Sequence, residues 1–182
     1  MSLFSFLRRS TPPKSDPAAA PPAAHATASE RRKLWRPRVR SGTRVLVIDD
    51  SKTVVVALTR MLAQNGYDTL SAGDAETGIT LARSKRPHLI FLDIVLPGMN
   101  GFNALRALRK DAQTQAIPII MISGNDQAVE QFYVERIGAD DFMKKPFERH
   151  EVFARIERLL GPDLIPRRRT AAAAAAPTTV SD

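Results

Sequence analysis

No cysteine occurs in the 182 residues, so neither a disulfide framework nor a thiolate metal centre is available, which fits a reducing cytoplasm. No apolar run approaches the length of about 20 residues that a membrane-spanning helix needs. The start, Met1-Ser2-Leu3-Phe4-Ser5-Phe6-Leu7-Arg8-Arg9, places apolar residues before arginines, the reverse of a signal peptide. At under three turns it reads as a tail rather than a surface anchor. No Gly-x-x-x-x-Gly-Lys-Ser/Thr loop is present, which argues against a nucleotide hydrolase. His25, His88 and His150 meet no second histidine at metal spacing, so no chemistry is assigned to them.

What is present in excess is positive charge, formally +8, and its placement decides its meaning. Residues 1–42 hold nine Lys/Arg against two Asp/Glu, residues 162–182 three against two, and residues 43–161 fifteen against fifteen. The middle is neutral and the basic character belongs to the ends. Those ends are rich in Pro and Ala, with six alanines after Arg167-Arg168-Arg169-Thr170, and show no sustained apolar period. Residues 1–42 and 162–182 are therefore expected to be disordered tails around one domain, 43–161. The tails could touch nucleic acid or anionic lipid in a salt-dependent way. The sequence offers no helix-turn-helix after the last helix, so neither nucleic acid nor membrane is an expected partner.

From Thr43 onward, short apolar runs alternate with longer amphipathic stretches, the pattern of a parallel sheet flanked by helices. Strands are expected at 44–48, 68–71, 89–92, 117–122 and 141–143. The first helix opens at Ser51, with Val54, Val55, Leu58, Met61 and Leu62 at helical spacing, and ends before Gly66. The second is capped by Asp74 and ends near Ser84. Three more are expected at about 102–110, from Asp126 to Gly138, and at 148–160. Five such units predict an α/β, doubly wound, five-stranded parallel sheet flanked by five helices. In that architecture the binding crevice lies outside the carboxyl ends of the strands.

Every candidate polar residue falls on that edge. Asp49 and Asp50 follow the first strand, Asp93 the third, Ser123 the fourth and Lys145 the fifth. Like charges about 4 Å apart repel by about 4 kcal/mol at an effective dielectric of about 20, so converging carboxylates call for a cation. Carboxylate oxygens suit Mg²⁺, Lys145 suits a phosphate oxygen, and Ser123 can donate to another. A carboxylate can itself be the nucleophile in phosphoryl transfer, and Asp93, in the middle, is the expected one. Taken singly, Asp50, Asp93 and Lys145 could be helix caps or loop charges. Such accidents would not be expected to converge on one edge in this order.

These residues resemble the receiver domains of two-component response regulators, a flavodoxin-like fold. The likeness rests on Val45-Leu46-Val47-Ile48-Asp49-Asp50-Ser51, Leu92-Asp93 through Pro97-Gly98-Met99-Asn100-Gly101, Ile122-Ser123-Gly124 and Lys144-Lys145-Pro146-Phe147. It covers nearly all of 43–161. The resemblance implies that Asp93 is the phosphoacceptor and that Mg²⁺ is held by Asp50, Asp49, Asp93 and the main-chain carbonyl of Val95. Lys145 would pair with the phosphate across a cis bond to Pro146, with Ser123 and Phe142 as switch residues. Many members have Asp where Asn100 stands. The stretch from Asp93 to Phe102 and on to Pro118 is similar to single-domain regulators of twitching motility and chemotaxis-like pathways.

The implied protein is a stand-alone cytoplasmic signalling switch, not an enzyme beyond assisting its own phosphorylation and dephosphorylation. A sensor histidine kinase would donate the phosphoryl group, and an output protein, one belonging to a motility apparatus, would read the result. A phosphate sink draining a kinase and a nucleic-acid regulator acting through the basic tails are the alternatives.

Overall fold

In the computed structural model the described residues are 39–124 and 138–168. The helix expected from Asp126 to Gly138 falls, up to residue 137, outside them. So do the tail residues 1–38 and 169–182.

In chain order the elements are β1 (Arg44–Ile48), α1 (Lys52–Ala63), β2 (Asp68–Ala72), α2 (Ala75–Lys85), β3 (Leu89–Asp93), α3 (Gly101–Lys110), β4 (Ile119–Ser123), β5 (Asp141–Lys144) and α4 (Arg149–Leu159). All five strands are parallel, in the order β2-β1-β3-β4-β5. This is the doubly wound, flavodoxin-like sheet expected from the sequence. Strand alternation sorts the core into two layers. Val45, Val47 and Phe91 pack with Leu58 and Leu62 of α1 and Phe153 and Ile156 of α4. Leu46, Ile48, Ile90 and Leu92 pack with α2 and α3 on the other face. No helix among the described residues is long and apolar enough to cross a membrane.

Strand bounds differ from expectation by one or two residues, most at β4. The fourth strand starts at Ile119, not Ile117, because the Ile117 N–H closes a turn onto the Thr114 carbonyl and Pro118 has no N–H to give. It runs one residue further, so Ser123 is paired in the sheet, opposite Lys144.

The C-terminal difference is larger. Residues 162–168, read from sequence as tail, fold back on the domain. Gly161 N–H donates to the Ile165 carbonyl and Arg167 N–H to the Leu159 carbonyl, with Leu160 bridging Pro166 in antiparallel fashion. Pro166 is buried. Arg168 then reaches the carboxylate of Asp140 at 3.0 Å. Asp140 also takes Arg109 at 2.7 Å and the Ile119 N–H at 2.8 Å, joining α3, β4 and the start of β5. Burial pulls Arg109 down to about 10, which leaves it charged at neutral pH.

At the amino edge of the sheet, His88 Nδ1 accepts from the Arg44 N–H at 2.9 Å, and the His88 N–H donates to the Arg44 carbonyl. Burial, then the charges of Arg44 and Arg40, hold this imidazole below its ordinary value. The unfolded chain, with histidine near about 6.5, therefore binds the proton more readily than the folded one. The stabilising contribution is complete above that pH and lost as pH falls through the lower folded value. His88→Gln should flatten this part of the acid limb. Thermal melts of both proteins across this pH range test it, and parallel curves would remove His88 as the cause.

Candidate functional site

The carboxyl edge of the sheet gathers Asp49, Asp93 and Lys145 from three strands. In a β2-β1-β3 order the chain leaves β1 and β3 in opposite directions, which opens a crevice between their ends. Asp49 and Asp93 stand there, 1% and 3% exposed, while Asp50 beside them is exposed. Carboxylate oxygens of Asp49, Asp50 and Asp93 all lie within 4.8 Å of one another.

Lys145, just past β5 and joined to Pro146 by a cis bond, points its ammonium into this group. Nζ donates to Asp93 Oδ2 at 2.8 Å and lies 2.7 Å from Asp49 Oδ2. Burial works against the ammonium, but the two carboxylates outweigh it and hold Lys145 above its ordinary value. Burial pushes the Asp93 carboxyl up, the Lys145 hydrogen bond opposes this, and the Asp49 charge adds to it, leaving a net rise.

The loops fix the remaining oxygens. Asp49 Oδ1 accepts from the Ser51 N–H at 2.9 Å, and Asp93 Oδ1 accepts from the Val95 N–H at 3.3 Å, which sets the Val95 peptide beside the carboxylate. Asp49 Oδ2 is buried and is met by the Lys145 ammonium. Three carboxylates with oxygens within 4.8 Å of one another, met by a single ammonium, leave net negative charge on an all-oxygen cluster that fits a hard divalent cation, Mg²⁺ in particular.

Two neighbouring residues explain how the turn after β3 is built. Asn100 caps α3, its side chain accepting from the Asn103 N–H at 2.9 Å, a task an amide oxygen performs as well as a carboxylate. The cap thus does not need the aspartate that the resemblance led one to expect here. Gly101 N–H donates to the Ile94 carbonyl, and a Cβ there would stand 2.0 Å from the Asp93 carbonyl oxygen. Only glycine allows α3 to begin this close to the strand that carries Asp93. Sequence reading treated Gly101 as part of a motif and missed this contact, which a turn glycine next to the central Asp could have signalled.

Ser123 is fully buried, and Phe142 is half-buried against the layer containing Ile119, Met121 and Leu105. Ser123 follows Ile122, the sheet partner of Asp93, and Phe142 stands opposite Met121 one strand further out. Beside the carboxylate group, an open cleft of 370 Å³ lies between α1 and the end of β2, walled by Asp49, Asp50, Val55, Val56 and Gly73.

Residues 45–157 match the response regulator receiver domain. The chain belongs to this family. The receiver is 40% identical to protein PilH of Pseudomonas aeruginosa over 64% of this chain and 97% of that one. It also matches longer relatives, spanning 50% of the DNA-binding response regulator MtrA of Mycolicibacterium smegmatis at 38% identity. Among solved structures it resembles the chemotaxis protein CheY4 of Vibrio cholerae, with TM-score 0.63 and 26% identity over 66% of this chain and all of that one. The receiver domain of the sensor histidine kinase PA1611 from Pseudomonas aeruginosa, solved with a magnesium ion in its active-site cleft, superimposes with TM-score 0.60. That match has 25% identity and covers 65% of this chain and 97% of that one. As a receiver of the two-component systems, the protein is a phosphoryl acceptor in signalling.

Proposed function

We propose that Asp93 is the residue that takes the phosphoryl group, from the phosphohistidine of a sensor histidine kinase, and that the phosphorylated receiver is read by a partner protein. The observation that supports this most is the Lys145 ammonium held between Asp93 and Asp49 beside Asp50. It places a cation where charge on a transferring group must be met. Asp93 attacks phosphorus, the phosphorus–nitrogen bond breaks, and the imidazole leaves with its electron pair and takes a proton. Lys145 then exchanges a carboxylate oxygen for a phosphoryl oxygen. Asp49, Asp50 and Asp93 with the Val95 carbonyl would hold Mg²⁺, which when bound supplies positive charge to the same oxygens. Val56, exposed in the cleft wall, and Val95, exposed two residues after Asp93, offer apolar surface to the donor.

Output follows from Ser123 and Phe142. A phosphoryl oxygen on Asp93 draws the Ser123 hydroxyl toward it, and the Phe142 ring moves into the space left, changing the face along β5 and α4. The likeness to single-domain motility and chemotaxis regulators points to a component of a motility apparatus as the reader. Adding beryllofluoride with Mg²⁺ to isotope-labelled protein tests this. Chemical shifts should change around Asp49, Asp93 and Lys145 and extend to Phe142 and α4. Changes confined to the first three would remove the switch and leave a phosphate sink as the better reading.

A further inference from the structure

The C-terminal strap, Gly161–Arg168, makes contacts that the fold does not need for charge balance. Asp140, 2% exposed at its side chain, is already met on Oδ2 by Arg109 at 2.7 Å and by the Ile119 N–H at 2.8 Å. Arg168 adds a second guanidinium, on Oδ1 at 3.0 Å. It also reaches two carbonyls that Arg109 holds, Gln115 at 3.1 Å and Gly138 at 3.4 Å. Its contact with Gly138 is longer than the 2.7 Å of Arg109, and its side chain is 30% exposed against 11%. Arg168 can therefore leave while Arg109 keeps the buried carboxylate paired.

What these residues hold is the start of β5. That strand lies at the sheet edge, paired to β4 alone and four residues long, so its ends govern its position. Its far end is tied by Lys145 to Asp93 and Asp49, and its near end by Asp140 to Arg109 and Arg168. The two ties are about 17 Å apart at the usual rise per residue, with Phe142 between them.

We propose that the strap is a releasable brace on β5, docked through Arg168 in the unphosphorylated receiver and opposing the shift at Phe142 that phosphorylation favours. This rests on the reading of Asp93 as phosphoacceptor. Because coupling between two sites is reciprocal, occupation of the Asp93 site must in turn loosen the strap.

Hydrogen exchange on the full-length protein tests both directions, with Arg168→Gln and, as a control, Arg167→Gln, which loses an exposed pair to Asp163. Losing one partly exposed charged contact should speed exchange at residues 138–142 by about fivefold in Arg168→Gln and leave the control at the parent rate. Beryllofluoride with Mg²⁺ should speed exchange of residues 161–168 in the parent. Unchanged exchange at 138–142 in Arg168→Gln overturns the brace. Strap amides that ignore beryllofluoride, in protein whose Asp93 site responds to it, overturn the coupling. If the Asp93 site itself does not respond, the phosphoacceptor reading fails, and the variants compared without beryllofluoride still decide the brace.

Discussion

Incubated with Mg²⁺ and a small phosphodonor, the protein gains one phosphate by intact mass, and Asp93→Asn gains none. The amide keeps the size of the side chain and an oxygen for Lys145, so the strand ends and the neighbouring carboxylates stay where they are. What it loses is the anionic nucleophile, without which no oxygen at the centre of the group can attack phosphorus. Asp50→Ala retains the nucleophile but removes a carboxylate from the cluster, and should weaken Mg²⁺ binding by more than about tenfold. If Asp93→Asn is labelled as fully as the parent, the acceptor lies elsewhere.

Gly101→Ala should combine a loss of stability with slowed phosphorylation. The added methyl would meet the Asp93 carbonyl oxygen at 2.0 Å and the Ile94 Cα at 2.8 Å, both backbone atoms that no rotamer change can move aside. Overpacking of this kind costs about 1–3 kcal/mol or more, a fall of about 10 °C in melting temperature for a domain of this size. Relief comes only by pushing α3 away or shifting the end of β3, and the second displaces Asp93 from Lys145. A melting temperature within about 2 °C of the parent would show that the turn yields without strain.

The buried strands were the most legible part of the chain. Val45–Ile48 and Leu89–Leu92 are covered on both faces, so they read as unbroken apolar runs, and a parallel sheet fixes which residues follow their ends. Asp49, Asp93 and Lys145 could be brought together from that pattern alone. Long-range pairing of charged residues could not. Arg109 looks like any solvated arginine on a helix, yet its side chain is 11% exposed on Asp140. Residues 162–168 carry no helical or strand period. Their order comes from one buried proline, a few backbone bonds and Arg168, none of which has a local signature. Ile117 misled in the opposite way, being aliphatic and buried while serving a turn.

The crossovers of the sheet also set an order of assembly during synthesis. The carboxylates of Asp49, Asp50 and Asp93 come from the first three strands, whereas the ammonium between Asp49 and Asp93 comes 52 residues after Asp93. A nascent chain that has emerged only through Ser123 has four of its strands but not the positive charge that Lys145 brings to its carboxyl edge. Until then the mutual repulsion of the carboxylates is offset by solvent and cations alone. The strand at the edge, made last and shortest, is followed directly by the ammonium that meets those carboxylates.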